Sequence, residues 1–183
     1  MARFEIPPRF ARCVGVDFGW SNPTAAVWLA HDRDSDIVYV TDVYRVAEQV
    51  PAVHVAAILQ RGDWIPAVGD PAGQAVGQKD GQSLMEAYAL FGLRLTPADN
   101  AVEAGLMTLL GRMQAGTLKV FDDLEPWWRE FRLYRRDGKG HLVKRDDHLM
   151  DATRYALISG LPLARIPGRS RLPAREIPPW SVA

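Results

Sequence analysis

The chain is predicted to fold as an α/β domain built on a mixed β-sheet, and two observations predict it. Three apolar stretches of strand period stand together near the N-terminus, and stretches of helical period then alternate with short apolar runs to about residue 160. At 183 residues, 48% of them hydrophobic and 24% charged, the chain suits one well-packed domain over 12–160. An N-terminal extension over 1–11 and a Pro- and Arg-rich tail over 161–183 flank it.

Residues 12–20 (RCVGVDFGW) and 24–30 (TAAVWLA) read as strands joined by a tight Ser-Asn-Pro turn, and 36–46 (DIVYVTDVYRV) alternates as a third, giving an antiparallel meander. Pro51 opens a helix over 51–61, since its missing N–H is no loss at the first helical position. IPAVGDPAG reads as a short buried strand ending at Asp70, followed by a Gly-rich loop to Ser83. Ser83 and Glu86 match a capping box for a helix over 83–91. Leu93–Leu95 is a further short strand. Asn100 and Glu103 form a second cap-like pair before a helix whose Val102, Leu106, Leu109, Leu110 and Met113 share a face, ending near Gly116. A strand over 117–121, a helix over 124–134 carrying Trp127, Trp128 and Phe131 as core anchors, and a glycine-turned hairpin over 137–145 follow. The last helix spans 146–159, with Asp146 as its capping residue. Beyond Leu161, prolines and Arg165, Arg169, Arg171 and Arg175 replace regular periodicity with an extended tail.

No apolar run approaches the roughly 18 to 20 residues of a membrane-crossing helix, and MARFEIPPRF has no signal-peptide core. A soluble intracellular protein with no membrane partner is expected. The single Cys13 excludes an internal disulfide and a multi-cysteine zinc site, and its apolar neighbours make it a buried strand residue. Twenty-two Lys and Arg balance twenty-two Asp and Glu, so net charge announces no nucleic acid. The distribution is more telling. Arg129–Arg145 holds seven basic and two acidic residues, a local charge of 7 − 2 = +5.

Asp17 lies in an apolar strand, where a lone carboxylate needs compensation. Asp70 ends a second strand just before Pro71. Taken singly, each is as readily a turn aspartate. In RDDHLMDATRYAL, Asp147 and Asp151 stand four apart and His148 and Asp151 three apart, so one helix can aim all three at one place. Arg154 offers Asp151 an ordinary ion-pair partner instead. Acidic residues at two strand ends and inside a late helix are what a hard divalent cation takes, because Mg²⁺ or Mn²⁺ prefers oxygen ligands and retains waters. Two such ions about 4 Å apart would activate a water and stabilise a leaving 3′ oxygen in phosphodiester hydrolysis, with no protein nucleophile.

In order along the chain, VDFGWSNPTAAVW, VGDPAGQ, EAGLMTLLGRMQAGTLKVF and KRDDHLMDATRYAL resemble the C-terminal nuclease domain of phage large terminase subunits, from about residue 12 to 160. The resemblance implies an RNase H-like fold, a central mixed sheet flanked by helices. It also implies a metal-dependent endonuclease that uses two Mg²⁺ or Mn²⁺ ions to cut concatemeric viral DNA during genome packaging. By motif position it assigns metal binding and catalysis to Asp17, Asp70 and Asp151, with Asp147 as a further metal carboxylate and His148 beside the site. Some relatives carry glutamate at the middle position, where this chain has Asp70. The partners implied are double-stranded DNA, the terminase ATPase domain, the small terminase subunit and the portal, in the cytoplasm of a bacterial host. No GxxxxGK[ST] phosphate loop occurs, so the chain is expected to be the nuclease domain without its motor.

Scattered surface charge is usually a solvated face, but the +5 segment next to the acidic helix favours a DNA-backbone clamp. Its candidates are Arg135, Arg136, Lys139, Lys144 and Arg145. His31, His54 and His141 have no ligand-like spacing. Three rivals share some of these features: a junction resolvase of the same fold, an actin-like nucleotide-binding protein suggested by DFGWSNPTA, and a binding module that keeps the fold without cleavage.

Overall fold

A computed structural model of the chain describes residues 1–75, 82–135, 138 and 146–168. Strands β1 (Ala11–Asp17), β2 (Thr24–Asp32) and β3 (Ile37–Val46) form the expected antiparallel meander. Strands β4 (Ala67–Gly69) and β5 (Leu95–Pro97) add in parallel beyond β1, and β6 (Leu118–Val120) adds in parallel to β3. The result is a six-stranded mixed sheet in the order β5-β4-β1-β2-β3-β6. Helices α1 (Pro51–Leu59), α2 (Leu84–Leu90), α3 (Val102–Gln114), α4 (Glu125–Leu133) and α5 (His148–Tyr155) cover it.

Strand alternation sorts the core into two layers. Ala11 and Cys13 of β1 and Ala25, Val27 and Leu29 of β2 pack under Leu109 of α3, Trp127 of α4 and Leu149, Ala152 and Ala156 of α5. Val14, Val16, Ala26 and Trp28 face the other way, against Val55 and Ile58 of α1 and Tyr88 of α2. Asp17 has the parity of Ala11 and Cys13, so the β1 geometry aims it at the α5 layer. A bulge changes the parity of β3: Trp28 pairs with Asp42 but Leu29 with Val40, leaving Thr41 as the extra residue. Val38 and Val40 therefore face α5 before the bulge, and Val43 and Arg45 face it afterwards.

One close approach fixes how α5 sits. A Cβ at Gly15 would overlap the Ala152 carbonyl oxygen and lie 2.8 Å from Ala156 N, so only glycine lets the helix touch β1 there. Trp127 Nε1 donates to Thr153 Oγ1 at 2.9 Å, tying α4 to the same helix. Trp127 is fully buried and stacks on Phe131, the anchoring role read from the sequence.

Several local expectations need correction. No side chain caps α5 at Asp147, and Asp146 pairs with Arg45 at 2.9 Å instead of capping. The N-cap of α3 is Ala101, without a side-chain bond; Asp99 Oδ1 accepts from Ala101 N, displacing Asn100 from the expected role. Leu110 is exposed, so the apolar face of α3 is narrower than its pattern suggested. Strand β5 begins at Leu95, where pairing with Ala67 sets its register, and not at Leu93. The last helix is α-helical only to Tyr155 and continues as a π turn over Ala156–Gly160. Regular structure persists past Leu161: Leu161–Leu163 is a 3₁₀ turn, Ala164 is buried, and Arg165 bridges to Arg12. His31, just beyond the strand read as 24–30, lies within β2.

The capping box is formed, with Glu86 N donating to Ser83 Oγ at 3.2 Å and Ser83 N to Glu86 Oε2 at 2.7 Å. Ser83→Ala is expected to cost about 1 kcal/mol, a fall of roughly 2–4 °C in melting temperature. An unchanged melting curve would show that α2 does not depend on this cap.

Candidate metal centre

Asp17 ends β1 and Asp70 directly follows β4. Because Val16 pairs with Gly69 in parallel, the two aspartates leave neighbouring strands at the same level, and Asp70 N donates to Val16 O at 3.0 Å. Carboxylates outside the C-terminal ends of adjacent parallel strands stand where α/β sheets commonly place their sites. The N-terminal half of α5 lies over this edge. Asp17, Phe18, Asn22, Pro23, Asp146, Asp147, His148 and Asp151 line a cleft of about 440 Å³. Asp70 is not among its lining residues, yet it is close enough to Asp17 to act on its charge.

The electrostatics of Asp17 follow from this placement. The residue is only 7% exposed, and burial is the main force pushing its carboxyl up to about 6. A hydrogen bond from His148 opposes the rise, while the negative charges of Asp151 and Asp70 add to it. His148 Nδ1 donates to Asp17 Oδ2 at 2.9 Å, and that bond raises the imidazole above its ordinary value. Asp151 Oδ1 accepts from Arg154 Nε at 3.3 Å and Nη2 at 3.2 Å, so the ion pair offered by the sequence is present. Asp70 Oδ1 accepts from Ala72 N at 2.9 Å, folding the chain into the 3₁₀ turn Pro71–Gln74.

Each of the three carboxylates thus commits one oxygen to a bond within the chain, and each has two. Among the described residues no three His, Cys, Asp or Glu side chains already converge as a closed ligand shell. A carboxylate-rich set around an open cleft fits a hard cation that keeps much of its water better than a soft metal. The unfavourable charge on Asp17 is what a cation would relieve.

Sequence reasoning missed Arg45 and Glu130. Glu130 has no exposed surface, and its carboxylate accepts from Arg45 Nε at 2.7 Å and from Leu149 N at 2.6 Å. Burial raises its pKa, against the pull of Leu149 N–H and Arg45. A signal was available: Glu130 sits three residues after Trp127, on the face already read as core. Of the basic segment, Arg135 is exposed and Arg132 is paired with Glu125 at 2.6 Å. Arg136, Lys139, Lys144 and Arg145, with most of the expected hairpin, lie outside the described residues.

The family model for the Terminase RNaseH-like domain matches residues 14–159, nearly the whole of the folded unit. The chain belongs to that family. The terminase RNase H-like domain seen here is 34% identical over 165 residues to the large terminase subunit of Enterobacteria phage LP7 and 35% identical over 159 residues to that of Salmonella phage P22. These matches cover 86% and 83% of this chain but only 35% and 32% of those proteins, so the chain spans about a third of the length of the curated relatives it matches. The solved nuclease domain of the P22 large terminase superposes with a TM-score of 0.82 at 33% identity, covering 91% of this chain and 89% of that one. The nuclease domain of the phage SPP1 large terminase, solved with bound Mn, shares the fold at a TM-score of 0.59 and 20% identity, over 80% and 85% of the two chains. For this terminase domain, the expected fold is the observed one.

Proposed function

We propose that this domain is a divalent-metal-dependent endonuclease acting on double-stranded DNA, the part of a large terminase subunit that cuts concatemeric viral DNA during genome packaging. The observation that carries the reading is the meeting of Asp17, Asp70 and the α5 carboxylates at one sheet edge, in a family whose P22 member is a large terminase nuclease domain. The bound Mn of the SPP1 domain supports the choice of metal. Asp17, Asp70 and Asp151 would hold Mg²⁺ or Mn²⁺, with Asp147 assisting. Bound there, a pair of ions supplies an activated water and stabilises the leaving 3′ oxygen.

The chain's own residues prepare that chemistry. His148 orients Asp17 by its hydrogen bond, and Arg154 holds the Asp151 side chain through one oxygen. Phe18 and Pro23 form the apolar part of the cleft wall beside the carboxylates. The basic segment leads straight into Asp146, which lines the cleft, so Arg135, Arg136, Lys139, Lys144 and Arg145 are suited to hold DNA phosphates beside it. Such contacts position a duplex without reading sequence, and they weaken with salt. The ATPase domain, the small terminase subunit and the portal are the further partners, in the cytoplasm of the bacterial host. Among the described residues no helix is long and apolar enough to cross a membrane. The catalytic unit proposed is 12–160, between the extension 1–11 and residues 161–183, the first of which, 161–165, still pack against it.

The test is cleavage of supercoiled plasmid in Mn²⁺, Mg²⁺ or EDTA by the wild type, Asp70→Ala and Asp151→Ala. Nicking and linearisation that need the metal, and that fall at least about 100-fold in both variants, are expected; that loss is roughly 3 kcal/mol of transition-state stabilisation. Cutting that persists in EDTA or in the variants would remove the metal site as its cause. A four-way junction cut in preference to linear duplex would favour the resolvase reading instead.

A further inference from the structure

We propose that Arg45 and Glu130, which lie outside every motif of the carboxylate cluster, are positioning residues that set the height of α5 on the sheet and thereby the separation of Asp17 from Asp147 and Asp151. The inference rests on the reading of those carboxylates as a metal site.

Three observations converge on it. First, Asp17 pairs with Ala25 and Ala25 with Arg45, so Asp17 and Arg45 stand in one cross-strand row on one face, two strands apart. The bulge at Thr41 puts Arg45 on that face; unbroken alternation from Val40 would have turned it towards α1. Second, the start of α5 lacks a cap of its own, and Glu130 of α4 supplies one from outside by accepting from Leu149 N. Third, the Arg45 guanidinium forks: Nε holds Glu130, and Nη2 holds Asp146, a non-glycine residue at φ 49 just ahead of the helix. The strained turn into α5 and the N–H of its second residue, Leu149, are therefore both referenced to a side chain in the same row as Asp17. An Arg fork makes two directed contacts at once, which a lysine cannot reproduce.

The pair acts on the metal carboxylates through the helix and touches neither metal nor DNA. Groups of this kind around metal ligands commonly govern affinity about 10- to 100-fold. Removing one partner leaves a buried charge unpaired and confuses positioning with stability, whereas replacing both by apolar side chains of similar size preserves folding in many proteins.

The experiment compares the full chain with Arg45→Met/Glu130→Leu, Arg45→Lys and Glu130→Gln, measuring Mn²⁺ affinity by calorimetry without DNA, melting temperature, and plasmid cleavage against Mn²⁺ concentration. The double variant is expected to stay folded, melting only a few degrees lower for the cap lost at Leu149 N–H, yet to bind Mn²⁺ about 10-fold more weakly, with cleavage recovered at higher Mn²⁺. Arg45→Lys, which keeps the charge but not the fork, is expected to weaken binding in the same direction, while Glu130→Gln, which keeps an acceptor for Leu149 N–H, retains most of the affinity. Wild-type Mn²⁺ affinity in a folded double variant, or in Arg45→Lys should the double variant not fold, overturns the proposal. A wild type that binds no Mn²⁺ overturns the metal-site reading itself, and the inference with it.

Discussion

Asp17→Asn is expected to abolish metal-dependent cleavage and, in the same protein, to raise the melting temperature of the metal-free domain. The Asp17 carboxyl has an ordinary value of 3.8 in an unfolded chain and is pushed up to about 6 by burial, with Asp151 and Asp70 adding to the rise. A carboxylate raised on folding favours the native state fully below its unfolded value and loses that contribution as pH rises through its folded value. The loss therefore falls between about pH 4 and 6. Above it, a rise from 3.8 to about 6 corresponds to at most about 3 kcal/mol against the native state. His148 works in the same sense: its raised pKa also adds stability at low pH that fades as the imidazole deprotonates. Near pH 8 the Asp17 contribution dominates, and asparagine, which does not titrate, should gain about 1 to 3 kcal/mol, or roughly 3–10 °C. Saturating Mn²⁺ should reverse the ranking by stabilising only the wild type. Melting scans at pH 5 and 8, with and without Mn²⁺, decide the matter. An Asp17→Asn protein that melts below the wild type without metal at pH 8 would show that Asp17 carries no such burden, and one that still cuts would remove it from the site.

The parts legible in the sequence were those fixed by neighbours along the chain. The meander follows from the continuous apolar runs of β1 and β2 and the alternation read in β3, α2 from a capping box complete within four residues, and the strand-end positions of Asp17 and Asp70 from the apolar runs before them. Features decided by distant contacts were not legible. Asp146 has the local chemistry of a cap, but Arg45, about a hundred residues earlier, takes its carboxylate, and Glu130 from α4 does the capping. Propensity could not show this, because the Thr41 bulge that turns Arg45 to the α5 side is a matter of strand pairing. The register of β5 is likewise set by β4, and Pro97 is tolerated there because β5 is an edge strand. The π turn at Ala156–Gly160 brings Gly160 against Cys13 of β1, where a Cβ would meet Sγ at 3.1 Å; no local pattern in ALISG announces it.

Gly15→Ala should be among the most destabilising single-methyl changes in the chain, and Gly111→Ala, chemically the same change, should stabilise it. A Cβ at Gly15 would overlap the carbonyl oxygen of Ala152 and approach Ala156 N at 2.8 Å and Ala156 Cβ at 2.9 Å. Two of these three atoms are backbone, and neither side can yield: β1 is held between β2 and β4, and α5 is held by Glu130 and by Trp127 through Thr153. Overpacking in a rigid core costs about 1–3 kcal/mol and more where backbone must move, so a loss of at least about 3 kcal/mol, roughly 6–12 °C, is expected. Gly15 shares a strand face with Asp17, and Ala152 follows Asp151, so the helix would lift where the carboxylates meet. Mn²⁺ affinity should therefore fall even under conditions where the variant remains folded. A methyl added at Gly111, in α3, would enter open space with nothing within 4 Å, and alanine in a helix interior gains about 0.5–1 kcal/mol over glycine. Ala156→Gly added to Gly15→Ala relieves only the side-chain contact and should recover little, because the Ala152 carbonyl remains in the way. Thermal and urea unfolding of the four proteins checks the set; a Gly15→Ala domain that melts with the wild type would mean that α5 does not rest on β1 at this point, and the placement of Asp151 beside Asp17 would lose its structural basis.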